Sequence, residues 1–159
     1  MEQKHLAGWL KLITIGVGII GAIVYLGIIP WWGRDLVLSA PEFSTWYYPW
    51  LIFAWITAVP CYAALIIFWG ICKNIGADNS FCEDNSIRLK HISQLAALDS
   101  AMVMVGNVVL FLLSMNHPGI FILLILVVFI GIAITVVAAG LSHLVYKAWK
   151  LKEENELTI

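Results

Sequence analysis

Asp99 is the residue in this chain best placed to do chemistry. It lies within 95–115, a stretch that is otherwise apolar and neutral and long enough to cross a membrane. A carboxylate at the centre of a membrane helix costs roughly 2.5–3.5 kcal/mol on insertion scales. A partner side chain, protonation, a water-filled cavity or a place near the interface would each offset that cost, and the sequence leaves the four open. Asn107 adds a second polar group to the same span. Such groups can fix helix register, bind a proton or cation, or receive a partner's basic residue. His5, His91 and His143 fall near one membrane face on three different spans. Imidazoles at one depth could ligate a metal or haem, or cap helix ends at the interface. The ligand or ion candidates are therefore Asp99, Asn107 and His143.

Catalytic patterns are missing. There is no GxSxG, HExxH or P-loop, and Cys61, Cys72 and Cys82 form no CxxC pair. Ser100 adjoins Asp99, but sequential neighbours on a helix do not face each other. The expectation is a protein that is not an enzyme, with no catalytic residue, cofactor or metal, and thiols in a reducing compartment without a disulfide framework.

These residues need a membrane to position them. The 159 residues are 62% hydrophobic and 12% charged, against about 25% charged in soluble domains. Four apolar runs, near 6–29, 50–72, 92–115 and 120–146, each reach the ~20 residues that cross a bilayer as a helix. Continuous rather than alternating runs exclude strands. The expected fold is an all-α membrane protein, a four-transmembrane-helix bundle forming one integral domain over 1–159. A net charge of -1 gives no reason for direct contact with nucleic acid. The first run is expected to stay uncleaved, because its nearest cleavage-like site, Leu38-Ser39-Ala40, puts a bulky residue where a small one is wanted.

Eight of the nine Lys and Arg residues lie at the N-terminal side of the first span, in or beside the 73–91 connection, or in the tail; Arg34 is the exception. The positive-inside rule then puts both termini and that connection in the cytoplasm. In span one, Gly18 and Ala22 form a small-xxx-small pair that lets another helix, from this chain or another, approach. The segment 30–49 reads as an outer loop whose Trp31, Trp32 and Trp46 form either an interfacial belt or an external ligand platform. Pro60 should kink span two. The minimal hairpin Asn116-His117-Pro118-Gly119 makes spans three and four antiparallel neighbours.

The connection before span three carries the richest local code. Gly76 can end span two as a C′ residue. Ser80 and Glu83 fit a capping box, so a helix should start near Phe81 and run into span three. Asp84 and Arg88 are spaced to pair. Phe81, Asn85, Leu89, Ile92, Ala96 and Asp99 share one face, which Gly106 and Asn107 continue, while Arg88 and Lys90 point toward water or headgroups. This amphipathic turn would extend span three into the cytoplasm.

The run Gly76…Ser80-Phe81-Cys82-Glu83-Asp84-Asn85…Leu89…Ile92 resembles the signature of a bacterial family of unknown function. Its members are small four-span membrane proteins with a Gly-x-Phe-Ser-x-Glu-Asn type motif before the third span. Here the Gly-to-Phe gap is longer, Cys82 stands for Ser, and Asp84 precedes Asn85. Members are often encoded beside a Cro/CI-type helix-turn-helix regulator. The resemblance therefore implies an inner-membrane protein that holds or releases such a regulator, with Phe81, Glu83, Asn85, Arg88 and Lys90 as docking candidates. Two alternatives stand beside it. One is a small-ligand, haem or ion-binding bundle; the other is an immunity or stress protein that meets membrane-active peptides through its aromatic outer loop. Partners in either case are the lipid bilayer and a possible second copy of the chain.

Overall fold

Backbone groups in hydrocarbon must pair within their own segment, and every apolar run meets this demand by coiling. The computed structural model describes residues 3–115 and 118–156, and they are helical apart from short connections. The elements are α1 (Gln3–Ile23), a π turn (Val24–Ile28), α2 (Ile29–Ser39), a 3-10 turn (Pro41–Trp46), α3 (Tyr47–Gly76), α4 (Glu83–Leu112) and α5 (Pro118–Glu156). Four helical stretches are long and apolar enough to cross a membrane: Gln3–Ser39, Pro41–Gly76, Glu83–Leu112 and Gly119–Asn155. The four-span helical architecture expected from the sequence is therefore present.

Backbones approach closely in series: α1 against α3, α3 against α4, and α4 against α5. Ile71 of α3, Ile92 of α4 and Ala138 of α5 form the buried apolar cluster. The start of α1, the 77–82 connection and the C-terminal half of α5 share one end, because Ser80 donates to Gln3 (2.9 Å) and Ser86 donates to the Ser142 carbonyl (2.9 Å). That end carries the basic residues and is called the basic end below.

The segment 30–49 is not a loop. The first helix continues through Pro30 to Ser39 by widening at Val24–Ile28. Pro30 has no N–H for the carbonyl of Leu26, and its ring crowds that carbonyl. The helix relaxes into i→i+5 pairing, with the Ile29 N–H going to the Val24 carbonyl. The Tyr25 carbonyl loses Ile29 as a donor, and Pro30 offers none in its place. The Trp55 indole of α3 donates to it instead, at 3.0 Å.

The two middle helices, α3 and α4, stop by the same device. At Gly76 the chain closes with Asp78 N–H to the Ile75 carbonyl and Asn79 N–H to the Asn74 carbonyl. Asp78 takes the left-handed conformation at φ 60°. This is a Schellman end whose C′ residue is Asp78 and not Gly76. The end of α4 repeats it with Ser114 at φ 56°. The capping box is also not formed: the helix starts at Glu83 rather than near Phe81, so Cys82 occupies the N-cap without a side-chain cap bond, and the Ser80 hydroxyl donates to Gln3. Of the expected outer hairpin, Asn116 and His117 lie outside the described residues.

Small residues mark where helices touch. The Tyr62 hydroxyl donates to the Gly18 carbonyl at 2.8 Å and lies over Gly21, so the small face of span one packs on α3 of the same chain. Gly106 of α4 lies under the Phe53 ring of α3, whereas Gly16 faces open space. Gly106→Leu should therefore force the α3–α4 pair apart and lower the detergent-solubilised melting temperature by several degrees. Gly16→Leu should leave it nearly unchanged, and equal shifts would show that the α3–α4 packing is not as described.

Candidate functional site

The central helix α4 carries two adjacent stripes with a period of seven residues. Asn85, Ile92, Asp99 and Gly106 face α3; Ser86, Ser93, Ser100 and Asn107 face α5. All four residues of the second stripe are buried. Ser86 and Ser142 donate to each other's backbone carbonyls at 2.9 and 2.8 Å. Ser93 donates to the Thr135 carbonyl at 2.9 Å, and Asn107 to the Phe121 carbonyl at 3.2 Å. Ser100 bonds back to the Ala96 carbonyl and rests against Gly131. A seven-residue spacing keeps one face on a neighbouring helix along its whole length. Hydroxyls on that face can reach the neighbour's carbonyls because they are short.

Asp99 and Asn107 therefore belong to different interfaces. The expectation of one shared face fails because eight residues turn a helix about 80° past two full turns. Asp99 meets α3, where the Cys61 thiol donates to Oδ2 at 3.4 Å. Its Oδ1 is buried without a hydrogen-bond partner. The Tyr25 hydroxyl, at the π turn, lies within electrostatic reach of Thr57, Cys61 and Asp99. Thr57 itself donates to the Ala54 carbonyl. Asp99 sits only ~6–7 Å along the helix from the midpoint of 92–115, well inside the hydrocarbon. Sequence reasoning missed Tyr25, Thr57 and Cys61 as its neighbours. The one signal available was chemical, since each is a polar or polarisable residue in an apolar run.

The histidines do not assemble. His5, His91 and His143 are all exposed, and no three His, Cys, Asp or Glu side chains converge among the described residues. Lys90, Gln94, His143 and Tyr146 line an open groove beside the α4–α5 seam, with a volume of about 570 Å³.

At the basic end a clasp of amides closes the α3–α4 connection. Asn74 donates to Asn85 Oδ1 and to Asp84 Oδ2, both at 2.8 Å. Asn85 donates to the carbonyls of Ser80 (2.9 Å) and Asn79 (3.4 Å). The Asp84–Arg88 pair forms at 2.7 Å. The Arg88 guanidinium and the Asn74 amide beside Asp84 hold its carboxyl below the usual carboxylate range. Of the docking candidates, Asn85 is corrected: it is 1% exposed and belongs to the clasp, so no partner can touch it. Arg88 lies across Gly70 of α3, where no side chain stands in its way. Phe81, Glu83 and Lys90 remain exposed.

At the opposite end Trp31, Trp32 and Trp46 are exposed. Trp32 and Trp46 join Phe43, Tyr47 and Trp50 around an apolar cavity of about 100 Å³. The Tyr47 hydroxyl donates to the Pro30 carbonyl at 3.2 Å and ties the start of α3 to α2.

Fold and polar centres together define an all-helical membrane protein with four spans. The chain belongs to the family described as "Protein of unknown function (DUF2975)", whose model matches residues 31–159. It is 27% identical over 152 residues to the "Uncharacterized membrane protein YoaS" of Bacillus subtilis (strain 168), covering 94% of each chain. No solved structure matches.

Asn85→Ala removes both donors and the acceptor of the clasp. The loss of a buried amide network should open the 77–82 connection and raise the rate of maleimide labelling at Cys82 in the folded protein about tenfold or more. An unchanged rate would show that the amides do not hold the connection.

Proposed function

We propose that this chain is a non-enzymatic protein of the cell membrane whose basic end lies in the cytoplasm. There it serves as sensor or membrane partner of a soluble helix-turn-helix regulator. The orientation rests on the eight-to-one distribution of Lys and Arg. The regulator rests on the family resemblance around Ser80–Asn85. One observation carries the docking reading: Phe81 is 56% exposed and Ile87 46% exposed at the basic end, outside the apolar part of α4 and beside Glu83. Exposed apolar side chains among charged ones are what a protein interface needs at its centre. The Asn74–Asn85 clasp supports the reading too, because a connection held in one shape loses little entropy on binding.

Affinity purification of the tagged chain from solubilised membranes should recover a cytosolic helix-turn-helix protein. Phe81→Asp should cut that recovery at least tenfold, while Trp31→Ala leaves it intact. Recovery of no DNA-binding protein, or equal recovery by both variants, rejects the reading.

A second reading is favoured by the unpartnered Oδ1 of Asp99: a bundle that binds a small cation or proton beside Cys61 and Tyr25. A buried carboxylate oxygen with no donor is a place where a missing ligand completes the site. Sodium or potassium should then raise the melting temperature of the wild-type chain and leave Asp99→Asn unmoved. Identical responses of the two proteins would dismiss it.

A further inference from the structure

The groove between α4 and α5 has no part in the Asp99 centre, and it adjoins the docking patch, with Ile87 and Lys90 on its lining. Its floor is the seam itself: Ser86, Ser93, Ser142 and Ala139, the hydroxyls turned into backbone carbonyls across the two helices. Its rim is Lys90 and Gln94 on α4 and His143 and Tyr146 on α5. These four carry an ammonium, an amide, an imidazole and a phenol. None of them makes a hydrogen bond or ion pair among the described residues. No Asp or Glu lines the groove. Four polar heads thus face one concave space with nothing of opposite charge to meet them. At about 570 Å³ the space is in the range of small-molecule sites.

Its depth narrows the occupant. Lys90 lies thirteen to fourteen residues from the midpoint of 92–115, or ~20 Å along the helix. Half the hydrocarbon thickness is ~15 Å, and half the bilayer with its headgroups is ~20–22 Å. The rim therefore stands where lipid phosphates stand. Away from the rim, toward the bilayer centre, the outer faces of the same helices are apolar, with Leu98 and Val136 exposed. Acyl chains can follow those faces inward from a headgroup seated on the rim. Basic pockets between membrane helices at headgroup depth take anionic phospholipids.

We propose that this groove is a binding site for one anionic phospholipid, with Lys90 and His143 holding the phosphate and Gln94 and Tyr146 donating to its oxygens or to the headgroup hydroxyls. The inference does not rest on the docking reading: the groove shares Ile87 and Lys90 with it, but Phe81, whose substitution tests that reading, lies outside the groove.

The full-length chain, purified in neutral detergent, would be given phosphatidylglycerol, phosphatidylcholine or inorganic phosphate, and retained lipid read by native mass spectrometry. One phosphatidylglycerol per chain should be retained at least tenfold better than phosphatidylcholine. Lys90→Gln with His143→Gln should reduce that retention at least tenfold. Lys147→Gln with Lys150→Gln, which removes charge just outside the groove, should change it less than twofold. If the first pair fails to fold, Gln94→Leu with Tyr146→Phe should still weaken retention at least threefold. Equal loss in the two lysine-containing pairs would mean a diffuse charge effect and overturn the site. Equal retention of both lipids would do the same, as would displacement of the lipid by inorganic phosphate at millimolar concentration.

Discussion

A polar group carried into lipid must find its partner inside the protein, and that constraint organises this chain from end to end. Lipid tails are as apolar as leucine, so burial of apolar surface cannot drive helix onto helix. What α4 offers instead is a row of short polar side chains every seventh residue, and α5 meets them with backbone carbonyls. Ser86, Ser93 and Asn107 each cross to a carbonyl on α5, and Ser100 lies against Gly131 so that the two backbones can close on each other. Individual bonds of this kind average only about 0.6 kcal/mol, with a maximum near 1.7. Their repetition along a straight antiparallel seam supplies register as well as stability.

The same constraint explains the irregular places. Pro30 deprives a carbonyl of its donor, and the helix widens until Trp55 can serve the orphaned Tyr25 carbonyl. Asn85 enters the interior only because Asn74 and two loop carbonyls satisfy all of its amide. Asp99 is the exception. One oxygen accepts from a thiol, a weak donor, and the other accepts from nothing. It is the one side-chain atom among the described residues that is buried without a partner. It sits beside the π turn, a feature that often accompanies function.

Much of the architecture was legible in the sequence because hydrophobic length is a coarse signal that neighbours do not override. Four apolar runs yielded four spans. The Asp84–Arg88 pair followed from spacing alone. Helix boundaries were less legible. Pro30 looked like the end of span one, yet a membrane helix can pass a proline when a neighbour satisfies the freed carbonyl. Gly76 looked like the terminator, but the left-handed position fell two residues later on Asp78. The interior contacts were least legible. Asp99 and Asn107 seemed to share a face because their separation is near a multiple of the helical turn. The seven-residue recurrence of Ser86, Ser93, Ser100 and Asn107 is plain in the sequence, but serines in a membrane helix are easily passed over when charge is sought. The partners Cys61 and Asn74 lie on another helix, and no local pattern points to them.

The central claim is that α4 and α5 meet along this serine seam. Cysteine cross-linking in native membranes tests it most directly. In a chain with Cys61, Cys72 and Cys82 replaced by Ala, the pairs Ser86→Cys with Ser142→Cys and Ser93→Cys with Thr135→Cys should each form a bond within one chain on mild oxidation. Arg88→Cys with Ser142→Cys, which takes α4 from the side that lies across Gly70 of α3, should not. Failure of the two seam pairs, or equal cross-linking of the third, would contradict the account.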